Sequence, residues 1–102
     1  MRAVVLALSL AAAACSSKHE AQTFQVEMRG MQFVPQTLSL HAGDHVTWTN
    51  KDLVPHTVTA KGLFDSGPVQ PNASWSTTVT KPGEIDYVCT LHPTMTAHLF
   101  AE

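Results

Sequence analysis

The segment Cys89-Thr-Leu-His92-Pro-Thr-Met95 places a thiol, an imidazole and a thioether at three-residue intervals. Thiolate and thioether sulfur suit Cu(I), and imidazole nitrogen suits Cu(II). The three together tolerate a copper ion that alternates between the two oxidation states. A trigonal plane of two histidines and one cysteine, with a weak axial methionine, is the donor set of an electron-transfer copper site. That set requires one more histidine, from a different strand. His56 in Val54-Pro-His-Thr57 fits, because a short loop separates it from the segment Thr47-Trp-Thr-Asn50. The candidate metal ligands are therefore His56, Cys89, His92 and Met95.

Other readings of the same residues compete. Cys89 could be an inert buried thiol, since free cysteine is among the most buried residue types. It could pair with Cys15, unless Cys15 is lipidated. A zinc site normally recruits four strong ligands, and thioether is a poor one. A cysteine nucleophile needs an oriented base, and nothing in the short loop orients His92. In an exported all-β chain with a Pro-His upstream, copper is the favoured reading.

Such ligands need a scaffold, and the chain reads as short strands. Thr23 to Met28 alternates, with Phe24, Val26 and Met28 on one face and Gln25 and Glu27 on the other. Period two belongs to a half-buried strand. Met31 and Phe33 follow a turn at Gly30. Gln36 to Leu40 alternates again, and Ala42-Gly43-Asp44 makes a turn. His45 to Asn50 sets Val46 and Trp48 on one face. Further strands are expected at Val54 to Ala60, Ala73 to Thr80, Glu84 to Cys89 and Ala97 to Ala101. No apolar period of 3.6 residues persists long enough for a substantial helix. The expected architecture is all-β, a Greek-key antiparallel β-sandwich of about seven to eight strands. Met28, Met31 and the two tryptophans read as core or loop packing. His41 and His45 read as solvated surface residues, and His19 as an idle tether residue or one that catches stray metal.

Composition narrows the function. Of 102 residues, 44% are hydrophobic and 14% charged, which excludes a disordered chain. Six basic side chains stand against eight acidic ones, so there is no basic patch and no nucleic-acid partner is expected. The chain is too short for a nucleotide-binding α/β unit with its crossover helices. Two cysteines make no multi-disulfide scaffold, and no C-x-x-C pair is present.

The amino terminus reads as a targeting segment. Met1-Arg2 is followed by an apolar run from Ala3 to Ala14, too short to span a bilayer as a stable helix. Residues 1–14 are expected to be a signal peptide. Leu10-Ala-Ala-Ala-Ala-Cys15 resembles a bacterial lipobox, with Ala12 where leucine is commonest. Residues 15–22 are then expected to be a lipidated cysteine and a polar tether, the alternative being an ordinary secretory signal cut near Ala14 with Cys15 incidental, and residues 23–102 the copper-binding domain. Cleavage would leave 88 residues with five basic and eight acidic side chains.

From Thr23 to Glu102 the sequence resembles a small cupredoxin (blue copper protein) of the amicyanin, pseudoazurin and plastocyanin-like group. The matching segments are Phe33-Val-Pro35, Ala42-Gly-Asp-His-Val-Thr-Trp-Thr-Asn50 and Asp52-Leu-Val-Pro-His-Thr-Val58. Phe64-Asp-Ser-Gly67, Pro82-Gly-Glu-Ile-Asp-Tyr87 and the ligand loop complete them. The two-residue gap between His92 and Met95 is similar to the short amicyanin loop. The resemblance implies equatorial ligation by His56, Cys89 and His92, and axial Met95. It also implies Asn50 and Thr57 beside the site and backbone N–H groups on the Cys89 sulfur. The chain departs from the group at His98, where glycine is usual, and at Pro71-Asn72, where Pro-Gly or Ala-Gly is more usual.

Donor set, export segment and resemblance together lead to the expectation of an extracytoplasmic electron carrier with one type 1 copper and no enzymatic activity. It would be a periplasmic monomer, tied to a bacterial membrane through Cys15, with redox partners docking near His92. The alternative is a periplasmic copper-handling protein of the same fold. A nitrite reductase or oxidase needs a second copper centre and further domains, for which 88 residues leave no room.

Overall fold

The computed structural model describes residues 19–102. The expected signal segment, residues 1–14, and Cys15 lie outside the described residues. Nine strands follow one another: β1 (Thr23–Met28), β2 (Phe33–Val34), β3 (Thr37–Leu40), β4 (His45–Asn50), β5 (Thr59–Ala60), β6 (Phe64–Asp65), β7 (Ser74–Thr78), β8 (Gly83–Val88) and β9 (Thr96–Ala101). They form a four-stranded sheet in the order β2-β1-β4-β7 and a five-stranded sheet in the order β3-β9-β8-β5-β6. This is the expected β-sandwich, with two refinements. The β1–β4 and β3–β9 pairings are parallel, so both sheets are mixed. The expected strand Val54 to Ala60 is strand only at Thr59–Ala60, because the chain ahead of it bends inward.

Alternation decides what is buried. Val26 and Met28 of β1 lie inside opposite Trp48 and Asn50 of β4, the register being Val26↔Trp48 and Met28↔Asn50. On the other sheet Ile85 and Tyr87 of β8 lie beside Leu99 and Ala97 of β9, on the face turned to the same core. Trp48 is the largest fully buried side chain, and its ring lies against Trp75, Phe64 and Tyr87. Met31, by contrast, sits exposed in the turn between β1 and β2.

The buried indole needs a partner and has one, since Trp48 Nε1 donates to the Tyr87 hydroxyl at 3.1 Å. Burial pushes that hydroxyl up to about 12, against the opposing pull of the indole hydrogen bond. Tyr87→Phe should therefore destabilise the domain by about 1–3 kcal/mol, the cost of an unpaired buried donor. Thermal unfolding should register this as a fall in Tm of roughly 4–8 °C for each kcal/mol. An unchanged Tm would mean that the indole finds another acceptor.

Because β1 and β4 run parallel, the sandwich has two distinct poles. Thr23 and His45 start at one, and Met28 and Asn50 finish at the other. The five steps between them span roughly 17 Å.

Candidate metal centre

The inward phase of β8 continues one residue past the strand. Ile85 and Tyr87 are buried, and Cys89 with them, at 0% exposure. The phase of β9 runs backwards in the same way, from Leu99 and Ala97 to Met95 at 3%. Both sulfur side chains thus face the core at the pole where β4 ends. The loop between them is two tight turns in series. The His92 N–H donates to the Cys89 carbonyl at 3.1 Å, and the Met95 N–H to the His92 carbonyl at 2.8 Å. The Cys89 N–H closes the loop on the Met95 carbonyl at 3.0 Å. Pro93 occupies the second position of the second turn, where its fixed φ is favoured. Three-residue spacing of the candidate donors is therefore the spacing of consecutive β-turns.

His56 arrives from the loop between β4 and β5. Buried Asn50 holds that loop, donating from Nδ2 to the carbonyls of Val54 (2.8 Å) and Val69 (2.9 Å). Its Oδ1 accepts from the Asp52 N–H at 2.8 Å. His56 also pairs backbone to backbone with Val69. The result places His56 Nδ1 3.7 Å from Cys89 Sγ, with both residues fully buried. The Thr57 N–H donates to the same sulfur at 3.2 Å. The Thr57 hydroxyl accepts from the Thr90 N–H at 2.8 Å, joining the two loops. The His92 ring meets His56 edge to face with centroids 5.2 Å apart, and it is half-buried. The structure thus brings His56, Cys89 and His92 together, with Met95 buried where the loop closes. Asn50 and Thr57 take the supporting places that the resemblance implied.

Asp52 is the residue that sequence reasoning passed over. Its Oδ2 lies 2.8 Å from His56 Nε2. The two oxygens accept the N–H groups of Gly30 (2.7 Å) and Met31 (2.9 Å) in the β1–β2 turn. Gly30 and Met31 both have positive φ, 63° and 61°, as a tight two-residue hairpin turn demands. Burial pushes the Asp52 carboxyl up, but the His56 hydrogen bond and the two backbone donors outweigh it and hold it below the usual carboxylate range. An ionised carboxylate only accepts, so His56 must carry its proton on Nε2. Nδ1 is then left with a free lone pair on the side of the sulfur. The available signal was Asp52 four residues before His56, read as an ion-pair spacing within a loop.

The donor set fits one small ion. Metal bonds of about 2.0–2.3 Å to nitrogen and sulfur, set near 120°, separate the two donors by about 3.7 Å. That is the distance found between His56 Nδ1 and Cys89 Sγ. The Cupredoxin-like domain family matches residues 2–101. The chain belongs to the cupredoxin-like family. Among curated relatives, amicyanin-alpha of Methylorubrum extorquens is 33% identical over 106 aligned positions, covering 92% of this chain and 86% of that protein. Amicyanin of Paracoccus denitrificans is 34% identical over 83, covering 76% and 63%. Among solved structures, a methionine-to-glutamine variant of amicyanin in its Cu(I) form aligns with TM-score 0.73 at 28% identity, over 78% of this chain and 82% of that one.

The two departures from the cupredoxin pattern have local explanations. Asn72 has φ 70°, a left-handed conformation that asparagine tolerates better than other non-glycine residues. Its N–H donates to the Asn50 carbonyl at 2.8 Å, which keeps the turn beside the site. His98 lies within β9 and binds Asp86 of β8 at 2.8 Å, away from the loop of candidate donors. Of the other histidines, His45 is exposed and contacts the Thr78 hydroxyl at 2.8 Å. His19 and His41 lie at the opposite pole, their rings stacked with centroids 4.0 Å apart. Neither His19 nor the described end of the expected tether is idle: His19 and the Gln22 N–H both bind Asp44, at 2.8 and 2.9 Å.

Proposed function

We propose that this cupredoxin is a periplasmic electron carrier holding one type 1 copper ion with His56, Cys89, His92 and Met95. The observation that carries the reading is the buried thiol, which accepts the Thr57 N–H and lies 3.7 Å from the lone pair of His56 Nδ1. When bound, copper supplies a one-electron couple; the chain supplies a fixed set of donors. Asp52 orients His56 from behind, two β-turns orient His92 and Met95, and the core keeps water from the sulfur atoms. Donors held by a packed sandwich change little between oxidation states. Burial of three of the four donors favours retention of the ion over handing it on, and so favours a carrier over a copper-handling protein.

Only His92 of the four reaches the surface, which supports electron exit along its ring. Next to it in the chain stand exposed Leu91 (50%) and Pro93. Small apolar patches of this kind suit brief redox encounters. Leu91→Asp should slow electron exchange with redox partners on the order of tenfold while leaving the visible spectrum unchanged. A changed spectrum with an unchanged exchange rate would make Leu91 a packing residue and move the exit elsewhere.

The Leu10 to Cys15 segment supports attachment to a membrane through Cys15. Radioactive fatty acid should label the wild type and not Cys15→Ala; an unlabelled wild type would remove the anchor and leave the copper reading intact. The carrier itself is tested by loading with Cu(II). An intense thiolate-to-metal visible band and a reversible voltammetric couple are expected. A weakly coloured protein that yields its copper rapidly to an acceptor would overturn the assignment in favour of copper handling.

A further inference from the structure

At the pole far from Cys89, Asp44 forms a hub of its own. Its side chain is fully buried. Oδ1 accepts the Gln22 N–H at 2.9 Å and contacts His19 Nε2 at 2.8 Å, and Oδ2 accepts the His41 N–H at 2.9 Å. The rings of His19 and His41 stack over it, both exposed on their outer side. One donor nitrogen from each histidine and one oxygen of Asp44 all lie within 4.8 Å of one another. We propose that His19, His41 and Asp44 form a second metal site, which takes one divalent cation of borderline softness, Cu(II) or Zn(II), and clamps residues 19–22 to the domain.

The chemistry follows from the donors. Two imidazoles and one carboxylate suit these ions and leave positions open for water. With bonds of about 2.0–2.2 Å at right angles, two ligand atoms stand about 2.8–3.1 Å apart. The His19 Nε2 to Asp44 Oδ1 distance of 2.8 Å already meets that spacing, so the cation replaces the proton now shared between them. The supporting shell that such sites require is also in place. Backbone N–H groups from Gln22 and His41 fix one oxygen each, and the Asp44 main chain is locked to Val79 through Val79 N–H to Asp44 carbonyl, 2.8 Å. His19 and Asp44 are 25 residues apart, so a shared ion closes the segment ahead of β1 onto the start of β4. Cu(II) should bind more tightly than Zn(II), by the general order of divalent affinities.

The test uses the full chain with its first site already filled with Cu(II), and adds Cu(II) or Zn(II) alone. Wild type should take up one further equivalent. For copper this appears as a second paramagnetic resonance signal with no gain in the thiolate band, and for zinc as one equivalent by calorimetry. The double variant His19→Ala, His41→Ala should lose that equivalent and keep its visible band, which reports that the fold survives. No second equivalent in wild type, or a second equivalent undiminished in the double variant, would overturn the site. The readout is a difference between wild type and variant at the far pole, so it stands apart from the outcome at Cys89.

Discussion

Cys89→Ser is expected to reduce the visible absorption of the copper-loaded protein by at least about tenfold. The band depends on a thiolate donating to Cu(II), and a serine hydroxyl stays protonated and binds poorly. The substitution tests the donor and not the fold, because the environment of the side chain accommodates oxygen as readily as sulfur. The Thr57 N–H that now donates to Sγ at 3.2 Å can donate to a serine oxygen, and the closing bond from the Cys89 N–H to the Met95 carbonyl is backbone only. Absorption spectra and far-ultraviolet circular dichroism of the same sample separate the two effects. A strong band that persists in a folded Cys89→Ser protein would place the chromophore elsewhere, since Cys89 is the free cysteine among the described residues.

The second large effect is expected at a residue that touches no candidate sulfur. Asp52→Asn should weaken copper binding by about 10–100-fold, the usual result of removing the group that orients a ligating histidine. Asp52 accepts three hydrogen bonds: from His56 Nε2, from Gly30 N–H and from Met31 N–H. An amide has one acceptor oxygen, so in either orientation its NH2 faces a donor. An NH2 in place of Oδ1 meets the Gly30 N–H alone, whereas in place of Oδ2 it meets both the Met31 N–H and His56 Nε2, and that orientation releases the imidazole. Once released, His56 can adopt the tautomer that puts its proton on Nδ1, toward the sulfur. Loss of the carboxylate charge also disfavours Cu(II) relative to Cu(I), so the reduction potential should rise. Competition titration with a chelator and voltammetry measure the two changes. Copper affinity and potential both equal to wild type would show that the loop alone sets the His56 ring.

Both expectations separate what is local in this chain from what is not. The alternation of β1, β4, β8 and β9 is written in consecutive residues, so the strands, their buried faces and the β-sandwich follow from the sequence. So does the loop of candidate donors: Cys89, His92 and Met95 are spaced by two β-turns whose hydrogen bonds span three residues each. His56 was named as a candidate donor because a Pro-His after Thr47-Trp-Thr-Asn50 resembles the cupredoxin pattern, and the structure sets it beside Cys89.

The strand expected from Val54 was not so simple. Period two continues through Val54, His56 and Val58, but Asn50 takes up the Val54 and Val69 carbonyls and turns the chain inward, leaving strand only at Thr59–Ala60. The two parallel pairings were likewise hidden, since a strand's own pattern says which face is buried and not which neighbour it takes. Asp44 looked like a turn residue, and Asp52 like no more than part of a matching segment, for the same reason. Asp52 meets the N–H groups of Gly30 and Met31, some twenty residues back, and Asp44 meets Gln22 and His19 at similar range. By itself the sequence indicated most of the strands, the fold class and the four candidate donors, because alternation and turns are short-range. The tertiary structure alone decided which carboxylate orients His56, and which histidines gather at the far pole. Those contacts exist only once β1 and β4 lie side by side in their parallel register.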